Sequence, residues 1–133
     1  MFRRKRLPVK LEPAFAAFHD VLDELEPAKA GLADVVPGGR LPGRPLRDAL
    51  TELVARIDRA AGVMPRWRRP ELEPVWSACA AGLAAARADA RAMIEDASEP
   101  AGFGELLGIV EGLLDRLEPF AEAEARFSQL RER

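Results

Sequence analysis

Apolar residues recur along this chain at alternating steps of four and three, the spacing that lines one face of an α-helix. In the first segment the stripe is Leu11, Phe15, Phe18, Leu22, Leu25, Leu32 and Val36, interrupted only by Lys29. A second stripe, Leu46, Leu50, Leu53, Val54, Ile57 and Ala61, runs up to Gly62, a residue suited to stopping a helix. The third is Leu72, Trp76, Cys79, Leu83, Ala86, Ala90, Met93 and Ala97, without a break. The fourth is Phe103, Leu106, Val110, Leu113, Leu117, Phe120 and Phe127, with Glu124 as its exception. No stretch alternates apolar and polar residues for long enough to make a strand. The pattern predicts an all-α fold: a compact four-helix bundle with helices over 13–36, 46–61, 71–97 and 104–130. Residues 11–133 form its single domain, and residues 1–10 a flexible basic tail.

The tripeptide Leu-Glu-Pro occurs at 11–13, 25–27, 72–74 and 117–119, at intervals too uneven for a structural repeat. A local reason accounts for it better. Proline is tolerated in the first helical turn, and a nearby glutamate suits the positive end of the helix dipole. Pro13 and Pro74 therefore read as helix starts. Pro27 and Pro119 fall inside apolar stripes, so one or two helices are predicted to be kinked or split there.

Two loops interrupt the helices and both are rich in arginine. Pro37–Pro45 carries Arg40 and Arg44; Met64–Pro70 carries Arg66, Trp67, Arg68 and Arg69. In an up-down bundle, consecutive loops lie at opposite ends, so these two sets form no single patch unless Pro27 redirects the chain. An indole among guanidinium groups is suited to gripping an anion through charge and cation–π contact, which makes Arg66–Arg69 the richest candidate binding segment. Folding back of Trp67 as a plug over the bundle end is the competing structural reading.

Charge is unevenly distributed around a net value of −2. Residues 1–10 hold Arg3, Arg4, Lys5, Arg6 and Lys10 and no acid; residues 37–70 set eight arginines against Asp48, Glu52 and Asp58. Residues 11–36 and 71–133 are acidic. Folding basic segments onto acidic ones neutralises such a distribution, the reading preferred to an anionic partner. A pI near 5.5, with no strongly basic helix, argues against nucleic acid. The Arg3–Arg6 cluster offers only a weak handle for an anionic membrane surface. It resembles the start of a secretion signal, but Pro8, Lys10, Glu12 and Pro13 interrupt the apolar stretch that must follow.

Composition narrows the chemistry further. There is one histidine (His19), one cysteine (Cys79), one threonine (Thr51), and no tyrosine or asparagine. A lone cysteine forms no internal disulfide, which points to a reducing cytoplasm. Arginine far outnumbers lysine, a bias that fits a high-GC bacterial genome better than heat adaptation. Cys79 reads as a small core residue, and the alanine-rich third helix as a surface for close helix approach.

His19, Asp20 and Asp23 are the only residues with metal-ligand character, and they lack the Glu-x-x-His pairs of a di-iron bundle. An acidic stripe, Glu111, Asp115, Glu118 and Glu122, reads as one side of an inter-helix charge seam facing Arg87 and Arg91 or the arginines of the second helix. No phosphate loop, Ser-His-Asp set or zinc spacing is present. The catalytic inventory is therefore empty, and no catalytic residue, metal or cofactor is assigned.

The leading expectation is a non-catalytic interaction module or adaptor of a bacterial cytoplasm, self-associating as a homodimer or docking a protein partner. A second is a bundle that binds a small molecule or an anionic ligand in a pocket lined by Trp76, Met93, Phe103 and Phe120, with Arg66, Trp67, Arg68 and Arg69 at its mouth; Arg40 and Arg44 join them as candidate ligand- or partner-binding residues. A third is a metal-dependent bundle at His19, Asp20 and Asp23.

Overall fold

The computed structural model describes residues 6–38, 43–96, 99–100 and 102–131. Among the described residues five α-helices carry the fold: α1 (Glu12–Ala33), α2 (Leu46–Val63), α3 (Glu73–Asp96), α4 (Phe103–Arg116) and α5 (Pro119–Gln129). Short 3₁₀ turns at Val9–Leu11, Met64–Trp67 and Pro70–Leu72 join or precede them. α4 and α5 together occupy the place of the predicted fourth helix, and the architecture is the all-α bundle that the apolar stripes require. α1 packs along α2, α2 along α3, and α3 against both α4 and α5.

The four Leu-Glu-Pro tripeptides divide as local physics dictates. Pro13, Pro74 and Pro119 each sit in the first turn of α1, α3 and α5, where a missing N–H costs no hydrogen bond. At the fourth helical stripe the split is real. Pro119 cannot donate to Asp115, and the chain turns on tighter bonds from Leu117 N to Leu114 O and Glu118 N to Asp115 O. At Pro27 there is no split: α1 continues through it. Pro27 and Asp23 are both exposed, so water can reach the carbonyl that loses its donor. Gly62 does not stop α2, which ends two residues later than predicted, at Val63. Pro65 ends the ladder instead, because it has no N–H to offer Ala61.

The stripes converge on one buried cluster. Leu11, Phe18, Leu25 and Leu32 of the first stripe meet Leu50, Leu53 and Ile57 of the second, Cys79, Leu83 and Ala86 of the third, and Val110, Leu113, Phe120 and Phe127 of the fourth. At one end the core becomes aromatic. Phe18 lies 5.0 Å from Trp67 and 5.1 Å from Phe127, ring centre to ring centre, and Trp67 lies 6.4 Å from Trp76. Edge-on and tilted rings at such spacings favour contact between positive edges and negative faces.

Glycine decides one helix contact. A Cβ on Gly82 of α3 would collide with the carbonyl oxygen of Arg116, at the end of α4. The α4–α5 break therefore nests directly on α3, which confirms the close approach that the small residues of the third segment foreshadow.

Charges settle the way the segregated sequence suggests. Between α1 and α2, Glu24 pairs with Arg59 at 2.7 Å and Arg56 at 3.5 Å. Glu52 completes this seam with Arg44 at 2.6 Å and Arg56 at 3.8 Å. Arg59, by its hydrogen bond, holds the Glu24 carboxyl below the usual glutamate range. Arg87 of α3 pairs with Asp58 of α2, and Arg116 of α4 with Asp89 of α3.

Candidate functional site

The Met64–Pro70 segment folds inward. Pro65 closes α2 into the 3₁₀ turn, and that turn drives Trp67 into the core, where it is fully buried. Its indole N–H donates to Met64 Sδ at 3.2 Å, so the polar tip is satisfied as well. Trp67 is the plug of the competing reading, and its indole is not at the mouth of a ligand site.

The arginines around it are largely engaged within the chain. Arg68 donates to both oxygens of Glu73, at 3.1 and 2.7 Å, and its guanidinium lies 4.2 Å over the ring of Trp76. This fork lowers the Glu73 carboxyl from its usual range and raises Arg68. Arg69 folds back onto the carbonyl oxygens of Arg68 and Arg66, at 2.8 and 3.4 Å; Arg66 is exposed. The cation–π contact foreseen for this segment therefore exists, but on Trp76. Arg44 lies at the far end of α2, about 27 Å away at the helical rise per residue, packed over Gly31 and paired with Glu52. Arg40 lies outside the described residues, as do Arg3, Arg4 and Lys5; Arg6 is exposed. The five described candidates, Arg44, Arg66, Trp67, Arg68 and Arg69, are not brought together into one site.

The other sequence candidates separate too. His19 is exposed and presents its ring edge-on to Phe15 at 4.5 Å, with Asp20 and Asp23 exposed beside it. Among the described residues no group of three histidine, cysteine or acidic side chains is placed to hold a metal ion. The suggested pocket does not assemble: Phe120 is in the core, Phe103 is 59% exposed, and Met93 lines a different groove from Trp76. The acidic stripe does not face the α3 arginines, because Arg87 turns to Asp58 and Arg91 to Glu95. Cys79 is buried in the core, and burial together with the charge of Glu122 pushes its thiol up to about 12, which leaves it un-ionised at neutral pH. No described helix is long and apolar enough to cross a membrane.

What remains open is the outward side of α3. Ala81, Ala84, Ala88 and Ala92 are exposed along it, forming a low ridge. An open trough of about 650 Å³ lies on the α4 side of this ridge, floored by Ala92, Met93, Gly108, Ile109, Gly112 and Leu113 and rimmed by Asp89, Asp115 and Arg116. Gly104, Gly108 and Gly112 follow one another at steps of four on α4, and a Cβ on any of them would meet nothing. A smaller groove of about 330 Å³ lies on the α2 side, walled by Ile57, Ala61, Met64, Trp76, Ala80 and Leu83, with Asp58 and Arg87 at its edge. Sequence reading passed over the glycines. Their fourfold spacing is visible in the chain, but whether another segment fills the space above them is a property of the fold.

A trough of this kind has the shape to seat a helix, and the smaller groove the size to seat a small apolar body. Neither brings together the nucleophile, base and oriented dipoles of acyl or phosphoryl transfer. The chain matches no protein-family model, no curated protein and no solved structure.

Proposed function

We propose that this protein is a non-catalytic interaction module that self-associates through the α3–α4 face. The observation that carries this reading is the glycine-floored trough. Gly108 and Gly112 lie inside α4, where each costs about 0.5–1 kcal/mol relative to alanine, and among the described residues nothing comes within 4 Å of the place a Cβ would take. Bare backbone at that spacing lets a second helix approach closely over an apolar floor. The rim bears on a second copy as the occupant: it carries charges of both signs, Asp89, Asp115 and Arg116, with Arg116 held by Asp89 at 3.1 Å within the chain. A two-fold axis sets residue i of one copy against residue j of the other and repeats the contact in reverse. Exposed Phe103 extends the apolar face toward the start of α4. The reading also takes the protein to be a bacterial cytoplasmic homodimer, in keeping with the lone thiol and arginine-rich composition.

Light scattering across a wide protein concentration range tests the reading. A mass rising from one to two chains supports it, as does loss of that rise in Gly108→Leu, which fills the trough without touching the core. A mass of one chain at every concentration sinks it.

A further inference from the structure

The groove between α2 and α3 differs from the trough in chemistry as well as size. Its walls are side chains, Ile57, Ala61, Met64, Trp76, Ala80 and Leu83, and they offer a ligand almost nothing polar. The one polar group on Trp76 is already used, since its indole N–H donates to the carbonyl oxygen of Met64 at 2.8 Å. Arg68 lies over the Trp76 ring, turned to Glu73 through Nε and Nη2, and is not among the residues that line the groove. The groove's polar edge is therefore reduced to the pair Asp58 and Arg87.

That pair is arranged unevenly. Asp58 Oδ1 accepts from Arg87 Nε at 2.7 Å, while neither terminal nitrogen of Arg87 has a hydrogen-bond partner among the described residues. A guanidinium held on its Nε side keeps its Nη edge free, and that edge carries two parallel donors matched to a carboxylate. Asp58 thus orients the cation without saturating it. An apolar slot of about 330 Å³ ending at a half-used guanidinium is complementary to a molecule with one anionic end.

We propose that the α2–α3 groove binds a small apolar monocarboxylate, its body against Ile57, Leu83 and Trp76 and its carboxylate on the terminal nitrogens of Arg87. This site lies on the other side of the α3 ridge from the self-association trough and stands without it.

Isotope-labelled full-length protein titrated with octanoate, and separately with octan-1-ol, tests the assignment by nuclear magnetic resonance. The two probes share an alkyl chain and differ in charge. Octanoate is expected to give saturable shifts at the Trp76 indole N–H and along the facing amides of α2 and α3, and to bind about tenfold more tightly than the alcohol. Arg87→Gln, an exposed change that spares the core, is expected to bring octanoate down to the affinity of the alcohol and leave the alcohol unchanged. Ala80→Leu, which narrows the slot, is expected to weaken both. Octanoate shifts that are absent, confined to the α3–α4 trough, equal in affinity to those of octanol, or unaltered by Arg87→Gln would each overturn the proposal.

Discussion

The aromatic end of the bundle and the α3–α4 face invert what their sequences suggest. Arg66–Arg69, with its tryptophan, has the look of a binding segment, yet Trp67 is buried to its indole nitrogen and Arg68 and Arg69 are turned onto partners within the chain. Gly104–Gly112 carries little that draws notice, yet its glycines stand over empty space. Chemically rich side chains are also the ones best able to satisfy one another, so richness alone does not make a site. Bare backbone on an exposed helix has no such internal use. On the proposed reading it is the better guide to where a partner docks.

The largest effect that sharpens this contrast belongs to the tryptophan. Trp67→Ala is expected to cost about 3–5 kcal/mol in chemical denaturation, as for other large aromatics removed from a core. Loss near zero would return Trp67 to the surface and restore the ligand reading of its loop. Trp76→Ala, at a half-buried position, is expected to cost less.

The glycines allow the comparison to be made with one substitution type. Gly82→Ala forces a methyl against the Arg116 carbonyl and is expected to destabilise by about 1–3 kcal/mol. Gly108→Ala and Gly112→Ala meet nothing and are expected to stabilise the isolated chain by about 0.5–1 kcal/mol each. Equal signs at the three positions would remove the distinction between an inner and an outer glycine. Cys79 provides a reporter of the sealed core: with its thiol pushed up to about 12 by burial, Ellman's reagent is expected to label it only after unfolding. Rapid labelling of native protein would contradict the packing of α3.

The smallest effect is on pH. Glu24 and Glu73 are held below the ordinary glutamate value of 4.5 by hydrogen bonds from Arg59 and Arg68. A carboxyl lowered on folding stabilises above its unfolded value, and that contribution is lost as pH falls through 4.5 and below. Stability is therefore expected to decline on acidification, with a shallower decline in Glu24→Gln. Both side chains are only half-buried and screened by solvent, so the change is modest. An identical profile in the variant would remove Glu24 from the α1–α2 seam.

The fold was largely legible in the sequence because helical spacing alone decides which faces are apolar. Leu11, Phe18, Leu50, Ile57, Leu83, Val110 and Phe127 all lie in the core on that basis. Proline was legible where one rule applies and not where two compete. Pro119 splits its helix, whereas Pro27 is carried through because the surrounding face is wet. Gly62 was not the stop signal: the hydrogen-bond ladder runs on past it, and Pro65, three residues later, ends it. The surfaces were less legible. The burial of Trp67 depends on how a 3₁₀ turn aims one side chain, and the pairing of Arg87 with Asp58 rather than with the acidic stripe depends on which helices become neighbours.

Sedimentation equilibrium of wild type beside Gly108→Ala/Gly112→Ala decides whether the glycine floor of α4 is a self-association face. Wild type is expected to be a dimer, and the variant to dissociate more readily although its fold is the more stable. A wild type that stays monomeric, or a variant that dimerises as tightly, would contradict it.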